Sequence, residues 1–174
     1  MFKNDDQRRK ARLMTRPIDL RNAFGYFGLM IGSLPPLAFV LKALLANGSG
    51  NTGLLLLIAA AGIVTGIVGF RIGRSFVPDA LRYISTFSLG SRLPLWILLG
   101  FVWGAVSGAA GGLFIFLIGS IFAGILGGLV GAMTVPTMVV LHSLLREGDL
   151  IETKHFLPIA FGITLTFCGY LLGL

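Results

Sequence analysis

Hydrophobic and polar positions fall into long blocks along this chain. Residues 1–23 (MFKNDDQRRKARLMTRPIDLRNA) are polar and basic, and an apolar run from Phe24 to Ala46 follows. The uncharged loop Asn47–Thr52 (NGSGNT) separates it from a second apolar run, Gly53 to Phe70. A polar stretch, Arg71 to Leu93, precedes Pro94–Leu145, which contains no Asp, Glu, Lys or Arg. A last polar loop, His142 to His155, leads into a final apolar run, Phe156 to Leu174.

Apolar runs of about 20 residues suit helices that cross a hydrocarbon core ~30 Å thick. The central run is too long for one crossing, because its ~50 residues would make ~75 Å of helix. It therefore divides into two spans with an apolar turn at Gly111-Gly112 or at Gly119-Ser120. Equal span lengths favour the second. The pattern predicts an all-α integral membrane protein of five transmembrane helices, at about 24–46, 53–70, 94–117, 121–141 and 156–174. Residues 1–23 form a basic tail and 24–174 a single domain. The stretch Arg71–Leu93 adds a short interfacial helix. Ser75 and Pro78 mark its start, Val77, Leu81, Ile84 and Phe87 form its apolar face, and Asp79, Arg82 and Thr86 point away.

Small residues add a second pattern inside the apolar runs. Gly100, Gly104, Gly108 and Gly112 recur every fourth residue, and Ser120, Gly124, Gly128 and Ala132 resume the spacing after Phe116. Residues four apart share a helix face. A stripe without side chains is a groove in which another helix backbone can settle, a glycine zipper. Gly28 and Gly32 offer the same face in the first span. In the second, Ala59, Gly62, Gly66, Gly69 and Gly73 step by three and four. The candidate packing residues are Gly28, Gly32, Gly62, Gly66, Gly100, Gly104, Gly108, Gly112, Gly124 and Gly128.

Pro35-Pro36 interrupts the first span near its middle. Each proline removes a backbone donor, and Pro35 disfavours the helical region for Leu34. A kink or short unwound segment is expected there. The freed carbonyls are tolerated only where protein or a cavity covers them. An ordinary proline kink is the simpler reading, and a broken helix that forms a substrate site is the functional one. Pro136 is expected to kink the fourth span near its cytoplasmic end.

Charge then sets orientation. The chain of 174 residues carries a net charge of +7, with only 12% charged residues and a mean hydropathy of +0.90. With five spans, every Lys and Arg except Lys42 falls on one side, which is cytoplasmic by the positive-inside rule. A four-span arrangement with a re-entrant segment would move Arg146 and Lys154 outside. Arg71, Arg74 and Arg82 form a candidate lipid-headgroup patch, and the same charges serve topology. Anionic lipid explains the basic balance better than nucleic acid does. A bacterial-type inner membrane is expected, with the mitochondrial inner membrane as the alternative that Asp5 and Asp6 disfavour. The single cysteine, Cys168, allows no intramolecular disulfide.

Candidate chemistry is sparse. No ionisable group lies at mid-depth in any predicted span, although intramembrane catalysts and ion-coupled carriers usually keep one. The span hydroxyls, Ser107 and Thr65 among them, can return to their own helix carbonyls. His142, Glu147, Asp149, Glu152 and His155 match no metal-ligand spacing. We expect no catalytic residue, no metal and no cofactor. The expected partners are membrane lipids, with other membrane-protein subunits or further copies of this chain. Three functions fit this reading. The first is a non-catalytic accessory or structural subunit of a membrane complex that docks partner helices through its glycine faces. The others are a homo-oligomeric pore or channel and a carrier for an apolar or lipidic substrate at Pro35-Pro36.

Overall fold

The computed structural model describes residues 17–47, 52–145 and 150–173, and they are almost entirely helical. Strand β1 (Pro17–Asp19) runs directly into helix α1 (Leu20–Asn47), followed by α2 (Thr52–Ser75) and the short α3 (Val77–Ile84). Helix α4 (Leu89–Gly112) ends in a 3-10 turn, Leu113–Ile115, that leads into α5 (Phe116–Leu145). Strand β2 (Leu150–Glu152) then opens α6 (Thr153–Leu172). Residues 1–16 of the basic tail, the loop residues 48–51, and Arg146, Glu147 and Asp149 lie outside the described residues.

Three apolar helical stretches are long enough to cross a membrane: Leu20–Leu45, Thr52–Ser75 and Gly90–Leu145. The last has 56 residues and folds back on itself at Leu113–Ile115. The reversal is therefore beside Gly111-Gly112, not at Gly119-Ser120 as equal span lengths suggested. The two limbs are unequal, because α5 has 30 residues against 24 in α4 and takes in His142. The backbone turns at Phe116, with φ of 65°, a region where non-glycine residues are uncommon.

Glycine decides how the helices pair. In the antiparallel hairpin α1–α2, a Cβ added to Gly32 would stand 2.9 Å from the Gly66 Cα, and one added to Gly62 would stand 2.8 Å from the Pro36 Cβ. In the hairpin α4–α5, Gly100, Gly104 and Gly108 lie directly on the carbonyls of Gly131, Gly127 and Ala123. Any side chain at these positions would overlap the opposite backbone. Close backbone approach of this kind maximises van der Waals contact where no hydrophobic effect drives helices together.

Helix α2 lies along α4 and so joins the hairpins, while α6 lies along α1 and also touches α5. Helix α6 buries the row Phe156, Ala160, Thr164 and Cys168. At its start, β2 pairs with β1 in antiparallel register, Ile18 opposite Ile151. Helix α1 stays helical through Pro35 and Pro36, without the unwound segment that the dipeptide suggested. Helix α3 buries Val77 and Ile84 and stops before Phe87. There the Arg92 guanidinium donates to the carbonyls of Ser85 and Phe87, at 2.7 and 3.0 Å.

The bundle is packed unevenly. Leu20, Phe24, Phe27, Val77, Leu99, Trp103, Met138 and Phe156 form one core at the end that carries the strands and α3. At the opposite end large apolar side chains point outward, with Phe116 82% and Leu117 77% exposed. An apolar surface of this extent marks a contact with membrane or protein rather than with water.

Candidate apolar ligand cavity

The two hairpins are held together at Trp103. Its indole Nε1–H donates to the Gly69 carbonyl at 3.1 Å, a buried bond between α4 and α2. The ring fits because two glycines make room for it. A Cβ at Gly28 or at Gly73 would stand 2.6 or 2.7 Å from the indole Cζ2. Phe24 and Phe27 flank the indole, with ring centroids 6.5 and 6.4 Å away.

Beyond Trp103, toward the Leu113–Ile115 turn, α2 stays on α4, where Gly111 abuts Ala61 and Thr65, while α1 and α5 part and leave space. An inner cavity of about 60 Å³ is lined by Gly28, Trp103, Ser107 and Thr134, among others. An outer cavity of about 360 Å³ is walled by Pro35, Pro36, Phe39, Ile58, Ile115 and Leu126. The two share Ile31, Gly32, Thr65, Gly127 and Val130, so the inner one forms the floor of the outer. Volumes of a few hundred cubic ångströms suit small-molecule sites.

The local sequence explains the walls. Glycines draw α1 to α2 and α4 to α5, but between the hairpins the same glycines leave no side chains to fill the gap. Pro35 and Pro36 have no N–H, so the carbonyls of Ile31 and Gly32 lose their helical donors. Both residues line both cavities. Thr65 and Thr134 return their hydroxyls to Ala61 and Val130, each at 2.9 Å. Ser107 does not. It is 5% exposed, and its Oγ has no hydrogen-bond partner. No ionisable side chain lines either cavity among the described residues.

The other candidate residues lie apart from this space or form its frame. On α5 two adjacent rows meet α4: Gly119, Ala123, Gly127 and Gly131 lie on its backbone, and Ser120, Gly124 and Gly128 of the predicted row pack beside them, with the Ser120 hydroxyl donating to the Ala109 carbonyl at 2.9 Å. Gly128 instead seats the Phe101 ring, with an added Cβ 2.8 Å from Cε2, and Gly124 lies 3.4 Å from Ala105 and Ala109. Gly66 faces Leu29 and Ser33. Arg71, Arg74 and Arg82 are exposed at the packed end. There Arg74 lies 6.0 Å from the Phe70 ring centroid, and Arg21 bridges to Asp79 at 3.4 Å. Glu152 pairs with Lys154. That hydrogen bond holds the Glu152 carboxyl below its ordinary value of 4.5; burial opposes it, and the charges of Lys154 and His155 add smaller downward pulls. Among the described residues no group of three His, Cys, Asp or Glu could hold a metal ion.

Two residues at the floor escaped the sequence reading. Trp103 carries no motif, and Ser107 is one of several span hydroxyls that can bond to their own helix. The available signal was their spacing of four, which puts both on one face of α4. No family model matches the chain, and neither the curated proteins nor the solved structures yield a match to it.

Proposed function

We propose that this protein crosses a bacterial-type inner membrane five times, with its N-terminus cytoplasmic, and binds an uncharged lipidic molecule between its two glycine-zippered hairpins as a carrier. The observation that supports this reading most directly is the 360 Å³ cavity walled by Pro35 and Pro36. Its lining is apolar and uncharged, so desolvation favours a hydrocarbon guest and opposes an ion. Both hairpins begin at the basic end and face each other across the space. The glycine stripes that could have docked partner helices are instead spent within each hairpin.

A tagged chain extracted gently from its own membrane and weighed by native mass spectrometry tests this. The parent should carry a bound molecule of lipid-like mass, and Ile58→Trp, which fills the outer cavity, should lose it. A parent that emerges bare overturns the reading. A second reading, the accessory subunit, draws on α6, where Gly162 and Gly169 have nothing within 4 Å of an added Cβ and Thr166 is exposed between them. A fixed set of co-extracted polypeptides in the same spectrum would favour it.

A further inference from the structure

We infer that the ligand has one uncharged hydroxyl, carried on an apolar body, and that this hydroxyl docks on Ser107 at the cavity floor. The inference rests on the reading of the cavity as a lipidic site and narrows the ligand class. Three observations converge on it. The Ser107 Oγ is buried without a partner, a state that costs free energy unless something fills it. The Pro35-Pro36 pair strips the helical donors from the Ile31 and Gly32 carbonyls, whose residues line the same inner cavity. Every other hydroxyl on that lining is already committed to its own helix.

The floor thus offers surplus acceptors and one hydroxyl that both donates and accepts. A guest hydroxyl can donate to one freed carbonyl and accept from Ser107, which pairs the serine and one of the two surplus acceptors. A carboxylate cannot donate to the carbonyls, and no cation lines the space to neutralise it. A bare alkane leaves the floor unpaired. The inner cavity of about 60 Å³ has room for a small polar head and the outer one for the chain.

Trp103 lines the inner cavity and reports on its occupant. In a Trp96→Phe background it is the only tryptophan, because the chain has two. The probes are dodecanol brominated beside its hydroxyl and bromododecane without one, both titrated into the protein in nanodiscs. Bromine beside the indole quenches its fluorescence. The alcohol should quench saturably and about tenfold more tightly than the alkane, the scale of one good buried hydrogen bond. Ser107→Ala should abolish that gap and leave alkane binding unchanged, which also shows that the variant is folded. If alcohol and alkane bind alike and Ser107→Ala changes neither, the hydroxyl assignment is overturned while the cavity reading stands; this is the result expected if water alone fills the floor. If neither probe quenches saturably, the cavity reading fails as well.

Discussion

A single methyl group separates a glycine that holds a hairpin together from one that does nothing. At Gly104 an added Cβ would overlap the Gly127 carbonyl, whereas at Gly162 it would meet nothing within 4 Å. Backbone cannot yield as a flexible side-chain tip can, so the α4–α5 hairpin must open to admit the group. Gly104→Leu should therefore lower stability by about 3 kcal/mol or more, toward the upper end of overpacking costs. Gly162→Leu should stay within about 0.5 kcal/mol. Unfolding midpoints in mixed detergent measure both, and equal midpoints would mean that Gly104 does not face α5. Periodicity revealed that such a stripe exists on α4, but not the phase of its partner on α5. Both rows of α5, the one beginning at Gly119 and the one beginning at Ser120, are built of small residues. Both rows meet α4, and which one lies directly on its backbone is set by where the chain reverses, a property of the whole hairpin.

At the scale of elements, the block pattern of apolar residues was enough to place the five long helices and the short α3, because length and hydropathy alone dictate them. The turn was not legible. Counting equal spans assumes that both limbs end at the membrane surface, yet α5 continues to Leu145 and carries His142 into the packed end. The strand pair was not legible either, since three residues at each of two distant positions leave no periodicity. It has a measurable consequence. Glu152 ends β2 and precedes α6, and Lys154 keeps its carboxyl below the ordinary value of 4.5. A depressed folded-state value contributes stability above the unfolded value and loses it as pH falls through the folded one. The contribution of this exposed pair is small. Thermal midpoints should dip below pH ~4.5 more in the parent than in Glu152→Gln, which has no carboxyl to protonate. Parallel profiles would show that the pair does not hold the start of α6.

The whole molecule is asymmetric, tight at the charged end and hollow at the other. This asymmetry follows from side-chain size. Phe24, Phe27, Trp103, Met138 and Phe156 fill the space at one end. At the other, glycines, alanines and two prolines leave a gap between the larger Phe39, Ile58, Ile115 and Leu126. Orientation then decides which side of the membrane the hollow end serves. With five crossings, the described basic residues other than Lys42 gather at the packed end with the strands and α3, and the cavity lies in the outer half. A phosphatase fused after Leu174 should then be active, and a fluorescent protein fused there should be dark, as each reporter works on one side only. The opposite pair of readouts would mean an even number of crossings. The start or the end of the chain would then change sides, and basic residues would be left on the outer face against the positive-inside rule. The N-terminal fusion resolves which end has moved, because α1 to α5 share the two hairpins and must invert together. A cytoplasmic N-terminus keeps the cavity in the outer half whatever α6 does, so this pair of fusions tests the cavity's side independently of the count of spans.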